Sequence, residues 1–110
     1  MKLPNGDRAY VSPERLTHYL LNPAHPTGKH KARVFAAALG LDVSGADTLR
    51  LWLLELAANG EAQPDRADAY GQRFVITGKL LYNGREAVVR TAWIVRTART
   101  QPEFLTAFVE

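Results

Sequence analysis

The chain has 110 residues, of which 46% are hydrophobic, and it carries a net charge of +3. This length and composition predict a single domain over residues 1–110 with a modest core. The mild positive charge favours an anionic partner but falls short of the dense basic tails that bind nucleic acid through composition alone. Cysteine is absent, which excludes disulfides and thiolate metal sites and fits a reducing cytoplasm, the expected location.

No targeting or membrane-spanning segment is expected. Residues 1–10 lack the apolar centre of a signal peptide. The longest apolar-rich stretch, residues 49–58, is interrupted by Arg50 and Glu55 and is too short to cross a bilayer. A membrane partner is therefore not expected.

The helical part of the chain is predicted over about residues 12–60, and it begins with a short helix. Ser12 offers an N-cap hydroxyl, and Asn22 with the proline after it ends the helical pattern. Between them, apolar residues three and four positions apart form one stripe, at Leu16, Tyr19 and Leu20. The spacing predicts a helix over about residues 13–21.

Two further helices follow in the predicted order. The second begins at Lys29 and ends at Gly40, a glycine suited to the position just after a helix. The third begins at a variant capping box, residues 44–47, and continues to Asn59 and the glycine after it. The third helix is expected to be the most buried.

The sheet part of the chain is predicted over about residues 72–110. Residues 61–71 are polar and read as a surface loop. Two strands joined by the Asn83-Gly84 turn then form a hairpin, and a further strand follows Pro102. The fold class is therefore α+β, with about three N-terminal helices packed on one face of an antiparallel meander of three to four strands.

The stretch HPTGKHKARVF, residues 25–35, is the first candidate site. It places free backbone N–H groups, the positive end of the helix dipole and three cationic side chains close together, which favours phosphate binding. The alternative is a solvated basic helix start, because cations oppose the dipole at an N-terminus. Lys31 lies on or beside the packed face, where its stem can instead run along apolar surface while the ammonium reaches water.

Other chemistries find little support. The spacing of the histidines, His18, His25 and His30, matches no compact metal site, and neither a phosphate-binding glycine loop nor a serine nucleophile motif is present. No cofactor or metal is predicted. Cleavage of RNA without a metal needs an acid, a base and cations for the phosphoryl charge, and the His, Lys, Arg, Tyr and Thr residues of this chain can supply them.

Four stretches of the chain resemble a small bacterial family of unknown function: LLNPAHPTGKHKARVFAAALG, YGQRF, VVRTAWIVR and FLTAFV. The resemblance covers nearly the whole chain. Members of that family occur alone and at the C-terminal tip of polymorphic toxins and phage-associated proteins. The order of helices followed by a meander is similar, at the level of fold, to the ribonuclease toxins barnase, colicin nucleases and RelE.

The family motif falls on residues that divide into packing and polar groups. The matched positions are His25, Pro26, Gly28, Lys31, Ala32, Phe35, Tyr70, Gly71, Thr91, Trp93 and Thr106, with His30 fitting less securely. The polar members imply four candidate catalytic residues, namely His25, Lys31, Thr91 and Thr106. Candidate substrate-binding residues are Lys29, His30, Arg90 and Tyr70.

Strand parity predicts how these groups meet. Val89, Thr91, Trp93 and Val95 are expected to face the helices, with Arg90 and Arg96 on the other side. The last strand is expected to place Phe104, Thr106 and Phe108 on one face, so that both threonines face one cleft beneath His25 and Lys31.

Two functions are compatible with this arrangement. The first is a metal-independent ribonuclease of bacterial toxin type acting on RNA, transfer RNA included. The second is a module without catalytic activity that binds RNA or protein within a toxin–immunity or toxin–antitoxin pair. RNA and an acidic immunity or antitoxin protein are the predicted partners, and the oligomeric state is not determined by the sequence.

Overall fold

Four antiparallel strands follow the helical segments of this chain, and the computed structural model describes residues 1–110. The helices are α1, Lys29–Leu39, and α2, Ala46–Asn59, preceded by a π-helix at Arg15–Leu20; short 3-10 turns lie at Gly6–Arg8 and Val43–Gly45. The strands are β1, Ala62–Asp68, β2, Gly71–Tyr82, β3, Arg85–Arg96, and β4, Pro102–Val109, in the sheet order β1-β2-β3-β4. The α+β class and the meander are confirmed. None of the helices has the length and apolar content needed to cross a membrane.

The first predicted helix lies where expected but has a different hydrogen-bonding pattern. Residues Arg15–Leu20 form a π-helix, and the Leu21 N–H donates to the Leu16 carbonyl at 2.9 Å. The wider turn allows Leu16, Leu20 and Leu21 all to be buried. Apolar spacing does not distinguish an α-helix from a π-helix, which is rare and is frequently found at functional sites.

Helix α1 begins and ends at the predicted residues. Gly40 follows it with a φ of 65°, the left-handed conformation that glycine adopts without strain. The Asn83 side chain at the β2–β3 turn donates to the carbonyls of Leu39 and Gly40, at 3.2 and 3.3 Å. The turn of the hairpin therefore caps the C-terminus of α1.

The predicted capping box of the third helix is wrong in detail. Gly45 is the N-cap of α2 and has no side-chain cap. The Asp42 carboxylate instead accepts from the Ser44 N–H and hydroxyl, at 3.0 and 2.6 Å, and stabilises the preceding 3-10 turn. An aspartate is as good an acceptor for free N–H groups as a serine, so the sequence pattern admitted both.

The predicted loop over residues 61–71 is also wrong, because most of it forms β1. This strand is almost fully exposed and pairs only with β2, with an irregularity between Pro64 and Ala67. Proline and charged side chains are typical of edge strands, where they discourage pairing with other molecules. Its polar composition therefore marks the sheet edge and not a loop.

The core lies between the helices and one face of the sheet. Val89, Thr91 and Trp93 of β3 are fully buried there, as strand parity predicts. The hairpin turn has φ values of 55° at Asn83 and 71° at Gly84, as a type I′ turn requires. The opposite face of the sheet carries no helix, and we call it the open face.

A β-bulge changes the predicted register of β4. Trp93 pairs with Phe104, whereas Ala92 pairs with Thr106, so Leu105 is the extra residue. Phe104 and Ala107 are consequently buried on the helix side, while Thr106 and Phe108 share the open face with their partners Ala92 and Arg90. The prediction that Phe104, Thr106 and Phe108 share one face, with both threonines in one cleft, is therefore wrong.

Thr91 serves the core through two buried hydrogen bonds. Its hydroxyl donates to the Ile76 carbonyl at 2.6 Å and accepts from the Trp93 indole N–H at 2.8 Å.

We expect Thr91→Val to lower the free energy of unfolding by about 1–3 kcal/mol, because the indole N–H is left without a partner. Urea denaturation measures this, and Thr77→Val on the exposed part of β2 is the matched control; equal losses in the two variants would contradict the assignment.

Candidate functional site

The structure brings three of the predicted site residues, His25, Lys31 and Thr106, together around the side chain of Tyr19. Its hydroxyl is 3.2 Å from the Thr106 hydroxyl, and its ring meets the His25 ring edge to face at 5.1 Å between centroids. The Arg15 guanidinium lies 5.2 Å and the Lys31 ammonium 5.8 Å from the centre of the Tyr19 ring. We call these five residues the Tyr19 cluster.

The turn before α1 fixes the orientation of His25. Its Nδ1 accepts from the backbone N–H groups of Thr27 and Gly28, at 3.1 and 2.9 Å. These bonds satisfy two N–H groups of the turn that precedes α1, so the imidazole holds this turn in its conformation. Since Nδ1 is an acceptor here, the neutral ring carries its proton on Nε2, the only nitrogen left for a ligand.

Gly28 holds this turn directly against the π-helix. A Cβ at this position would lie 2.2 Å from the Tyr19 carbonyl oxygen, which no side chain allows. The φ of Gly28 is −81°, so the glycine is required by the close approach of two backbones and not by an unusual conformation. His25 and Tyr19 meet because these backbones touch.

The π-helix in turn covers the outer edge of β4. The Arg15 Nε donates to the carbonyl of Leu105, the bulged residue, at 2.7 Å. Tyr10 covers the next part of this edge, donating its N–H to Pro102 and accepting from the Phe104 N–H, both at 2.9 Å. The bulge therefore aims Thr106 at Tyr19 while Arg15 satisfies the backbone group that the bulge leaves unpaired.

The surroundings of Tyr19 lower its pKa below the ordinary value. Partial burial acts in the opposite direction and is the largest single influence, but the hydrogen bond with Thr106, the interaction with Lys31 and the charge of Arg15 together outweigh it. Both charged side chains at the ring are cations. The cluster is thus built to stabilise a phenolate or another anion.

The positive charge of the chain is concentrated around this cluster. Residues 15–41 contain four lysines and arginines and all three histidines, but no acidic residue. This segment carries a charge of +4, whereas the net charge of the chain is +3. The remainder of the chain is close to neutral, so an anionic ligand is attracted to the π-helix and α1 in particular.

The other predicted site residues lie apart from the Tyr19 cluster. Thr91 is 0% exposed and has both hydrogen bonds inside the core. Arg90 projects from the open face and lies 3.9 Å from Glu110, and Tyr70 is 70% exposed in the β1–β2 turn. Lys29 and His30 extend the positive surface at the start of α1, half-buried and exposed respectively.

Sequence reasoning missed the roles of Tyr19 and Arg15. The apolar stripe assigned Tyr19 to packing, and Arg15 carried no signal of its own. Both residues belong to the π-helix, and their contacts are with β4, about ninety positions further along the chain. The resemblance to the family motif identified His25, Lys31 and Thr106, which surround Tyr19, but did not include the residue that joins them.

The chain belongs to the family described as a domain of unknown function, DUF6883, whose model matches residues 2–110. This agrees with the resemblance to a family of unknown function. No curated protein matches the chain.

The fold is similar to that of one chain in a solved structure described as a "Contact-dependent growth inhibition toxin - immunity protein complex from Klebsiella pneumoniae 342". The similarity has a TM-score of 0.69 and covers 91% of this chain and 98% of that chain, at 13% sequence identity. At this identity the likeness establishes the fold alone.

The lowered pKa of Tyr19 is measurable. We expect Tyr19 to ionise at a lower pH than an ordinary tyrosine when phenolate absorbance is followed with rising pH. This early transition is expected to disappear in Tyr19→Phe and to remain in Tyr10→Phe, an exposed tyrosine outside the cluster.

The same shift contributes to stability in alkaline solution. Because the folded-state pKa of Tyr19 is below its unfolded value of about 10, ionisation favours the folded state. The contribution is fully present above the unfolded value and is lost as the pH falls through the folded-state pKa. A stability difference between wild type and Tyr19→Phe that is constant through the alkaline range would contradict this.

Substitution of Gly28 tests the backbone contact that forms the cluster. We expect Gly28→Ala to lower the free energy of unfolding by about 2 kcal/mol or more, because the new methyl group meets the Tyr19 carbonyl. Urea denaturation measures the loss, and Thr27→Ser, which keeps both the backbone N–H and the hydroxyl that contact His25, is the neighbouring control. A stable Gly28→Ala protein with unchanged Tyr19 titration would show that the contact is dispensable.

Proposed function

We propose that this chain is the toxin domain of a toxin–immunity pair and that it cleaves cytoplasmic RNA without a metal ion. The observation that carries the proposal is the environment of Tyr19. Its pKa is lowered, and the cations Arg15 and Lys31 of the positively charged segment lie 5.2 and 5.8 Å from the centre of its ring. A base, a proton donor and phosphate-binding cations are the three requirements of this reaction, and the Tyr19 cluster contains all three.

The proposed reaction is transfer of the phosphoryl group to the neighbouring 2′ oxygen. The Tyr19 phenolate takes the proton of the 2′-hydroxyl, and the 2′ oxygen then forms a bond to phosphorus. The bond from phosphorus to the 5′ oxygen breaks, and the leaving oxygen takes a proton from the Lys31 ammonium, which becomes a neutral amine. The products are a 2′,3′-cyclic phosphate and a 5′-hydroxyl, so atoms and charges balance.

The remaining members of the cluster act on charge and position. Arg15 and the Nε2–H of His25 stabilise the negative charge that grows on the phosphoryl oxygens, an effect strengthened where water is partly excluded. Thr106 is a positioning residue, because its hydroxyl fixes the Tyr19 hydroxyl through the contact at 3.2 Å. Lys29 and His30 extend the surface along which the RNA backbone approaches.

The same positively charged segment, residues 15–41, is also suited to bind an acidic protein partner. An acidic immunity or antitoxin protein that covers residues 15–41 pairs with the cations and blocks Tyr19 at once. The alternative function, binding of RNA or protein without catalysis, uses this surface too. It differs in making no use of the lowered pKa of Tyr19.

Cleavage is tested with purified protein, total RNA and a chelator. Wild type is expected to degrade the RNA, and Tyr19→Phe to reduce the rate by about a hundredfold or more, as removal of a general base does. Tyr10→Phe is the matched control and is expected to retain the wild-type rate. Lys31→Ala is expected to reduce the rate and to weaken its dependence on salt, in contrast to Lys79→Ala on the β2–β3 hairpin.

The result also separates the two functions. RNA that is bound but left intact by wild type would contradict the nuclease and favour the binding module. Full activity in Tyr19→Phe would contradict the assignment of the base. If the wild-type protein neither binds nor cleaves RNA, RNA is not its substrate.

A further inference from the structure

The open face of the sheet joins the Tyr19 cluster through Thr106. Two rows of paired residues cross this face from β4 towards β1. One row consists of Thr106, Ala92, Val75 and Gln63, and the neighbouring row consists of Phe108, Arg90 and Thr77. Partners in antiparallel strands project on the same side, so both rows lie opposite the helices.

The first row forms a shallow path that begins at the candidate site. Ala92 and Val75 have small side chains, whereas Phe108 and Arg90 stand beside them in the second row. From Thr106 to Gln63 the path crosses three strand-to-strand steps, about 14 Å in all. Its far end is a cavity of about 230 Å³ lined by Glu61, Gln63, Val75, Thr77 and Arg90.

The charge of this path differs from that of the π-helix and α1. The Arg90 guanidinium lies 3.9 Å from Glu110, Lys79 lies 4.0 Å from Glu86, and Glu61 contacts the amino terminus. Positive charge on the open face is therefore largely balanced, in contrast to residues 15–41. The path is suited to the uncharged part of a nucleic acid and not to its phosphates.

Phe108 and the cavity offer what nucleobases require. Phe108 is 41% exposed on the sheet face, and an exposed aromatic ring there has a free π surface on which a base can stack. The cavity combines hydrogen-bond donors and acceptors from Arg90, Gln63 and Thr77 above the apolar floor of Val75. Donors and acceptors of both kinds can pair with base edges that are not engaged in a duplex.

We propose that the open face binds single-stranded RNA, with one base stacked on Phe108 and the next base in the cavity at Gln63. This inference rests on the proposed function, since the scissile phosphate is then the one held by the Tyr19 cluster. Phosphate is bound at the sheet edge and the bases are read on the open face. A duplex is excluded from this path because its bases are already stacked and paired.

The test is fluorescence anisotropy with short labelled oligoribonucleotides, carried out in the Tyr19→Phe background so that binding is measured without cleavage. We expect a clear preference for single-stranded RNA over a duplex of the same sequence. Phe108→Ala is expected to weaken binding about tenfold, and Phe108→Tyr, which keeps the ring, to restore it. Leu81→Ala is the control, since Leu81 is 69% exposed at the tip of the hairpin, away from both rows.

A second variant examines the cavity. Gln63→Leu removes the amide NH2 donor group and the carbonyl acceptor, so the ratio of affinities for oligo(A) and oligo(U) is expected to change. An unchanged ratio of these two affinities would show that the cavity does not bind a base. Equal affinity in the Phe108→Ala and parent proteins, or stronger binding of the duplex, would overturn the proposal as a whole.

These outcomes are distinguishable from failure of the proposed function. Binding that depends on Phe108, in a protein whose wild type leaves RNA intact, supports the open face and contradicts the nuclease. Cleavage that depends on Tyr19 but not on Phe108 supports the nuclease and overturns the binding path.

Discussion

The contact between the Gly28 backbone and the Tyr19 backbone determines where every group of the candidate site lies. It fixes the turn that carries His25 against the π-helix, and it places the start of α1, with Lys31, beside the same ring. On the other side, the hydroxyl contact with Thr106 and the bond from Arg15 to Leu105 attach the π-helix to β4. The site thus depends on two backbone features, a glycine and a β-bulge, that contribute no reactive group themselves.

The residues that stabilise the fold at this sheet edge are also the ones to which we propose a role in the reaction. Arg15 satisfies a carbonyl of an edge strand, which would otherwise be open to pairing with another chain, and it also brings positive charge to Tyr19. His25 holds the turn before α1 through Nδ1 and leaves Nε2 for a ligand. Each of these side chains therefore has a structural reason for its position that is independent of any chemistry.

The surface around the Tyr19 cluster is more positive than the open face of the sheet, because residues 15–41 contain no acidic residue. Residues 15–41 hold the cations together at the edge of β4, whereas the open face pairs its arginine and lysine with nearby glutamates. The RNA strand that we propose as the ligand has bases on one side and phosphates on the other, in keeping with such a surface. The charge pattern therefore links the Tyr19 cluster and the path across the sheet into one extended surface.

The sequence alone determined α1, the β2–β3 hairpin, the helix-facing side of β3 and the α+β class, because these follow from local signals: Gly40, Asn83-Gly84 and apolar periodicity. It also singled out His25, Lys31 and Thr106. Three features become evident only in the folded chain: Arg15–Leu20 is a π-helix, β1 is an edge strand, and the bulge at Leu105 turns Thr106 away from Thr91. A bulge shifts the alternation of side chains by one residue without a distinct sequence signal, and the contacts of Tyr19 join positions distant in the chain. Local patterns contain no information on such pairings, so the centre of the site emerged only from the folded chain.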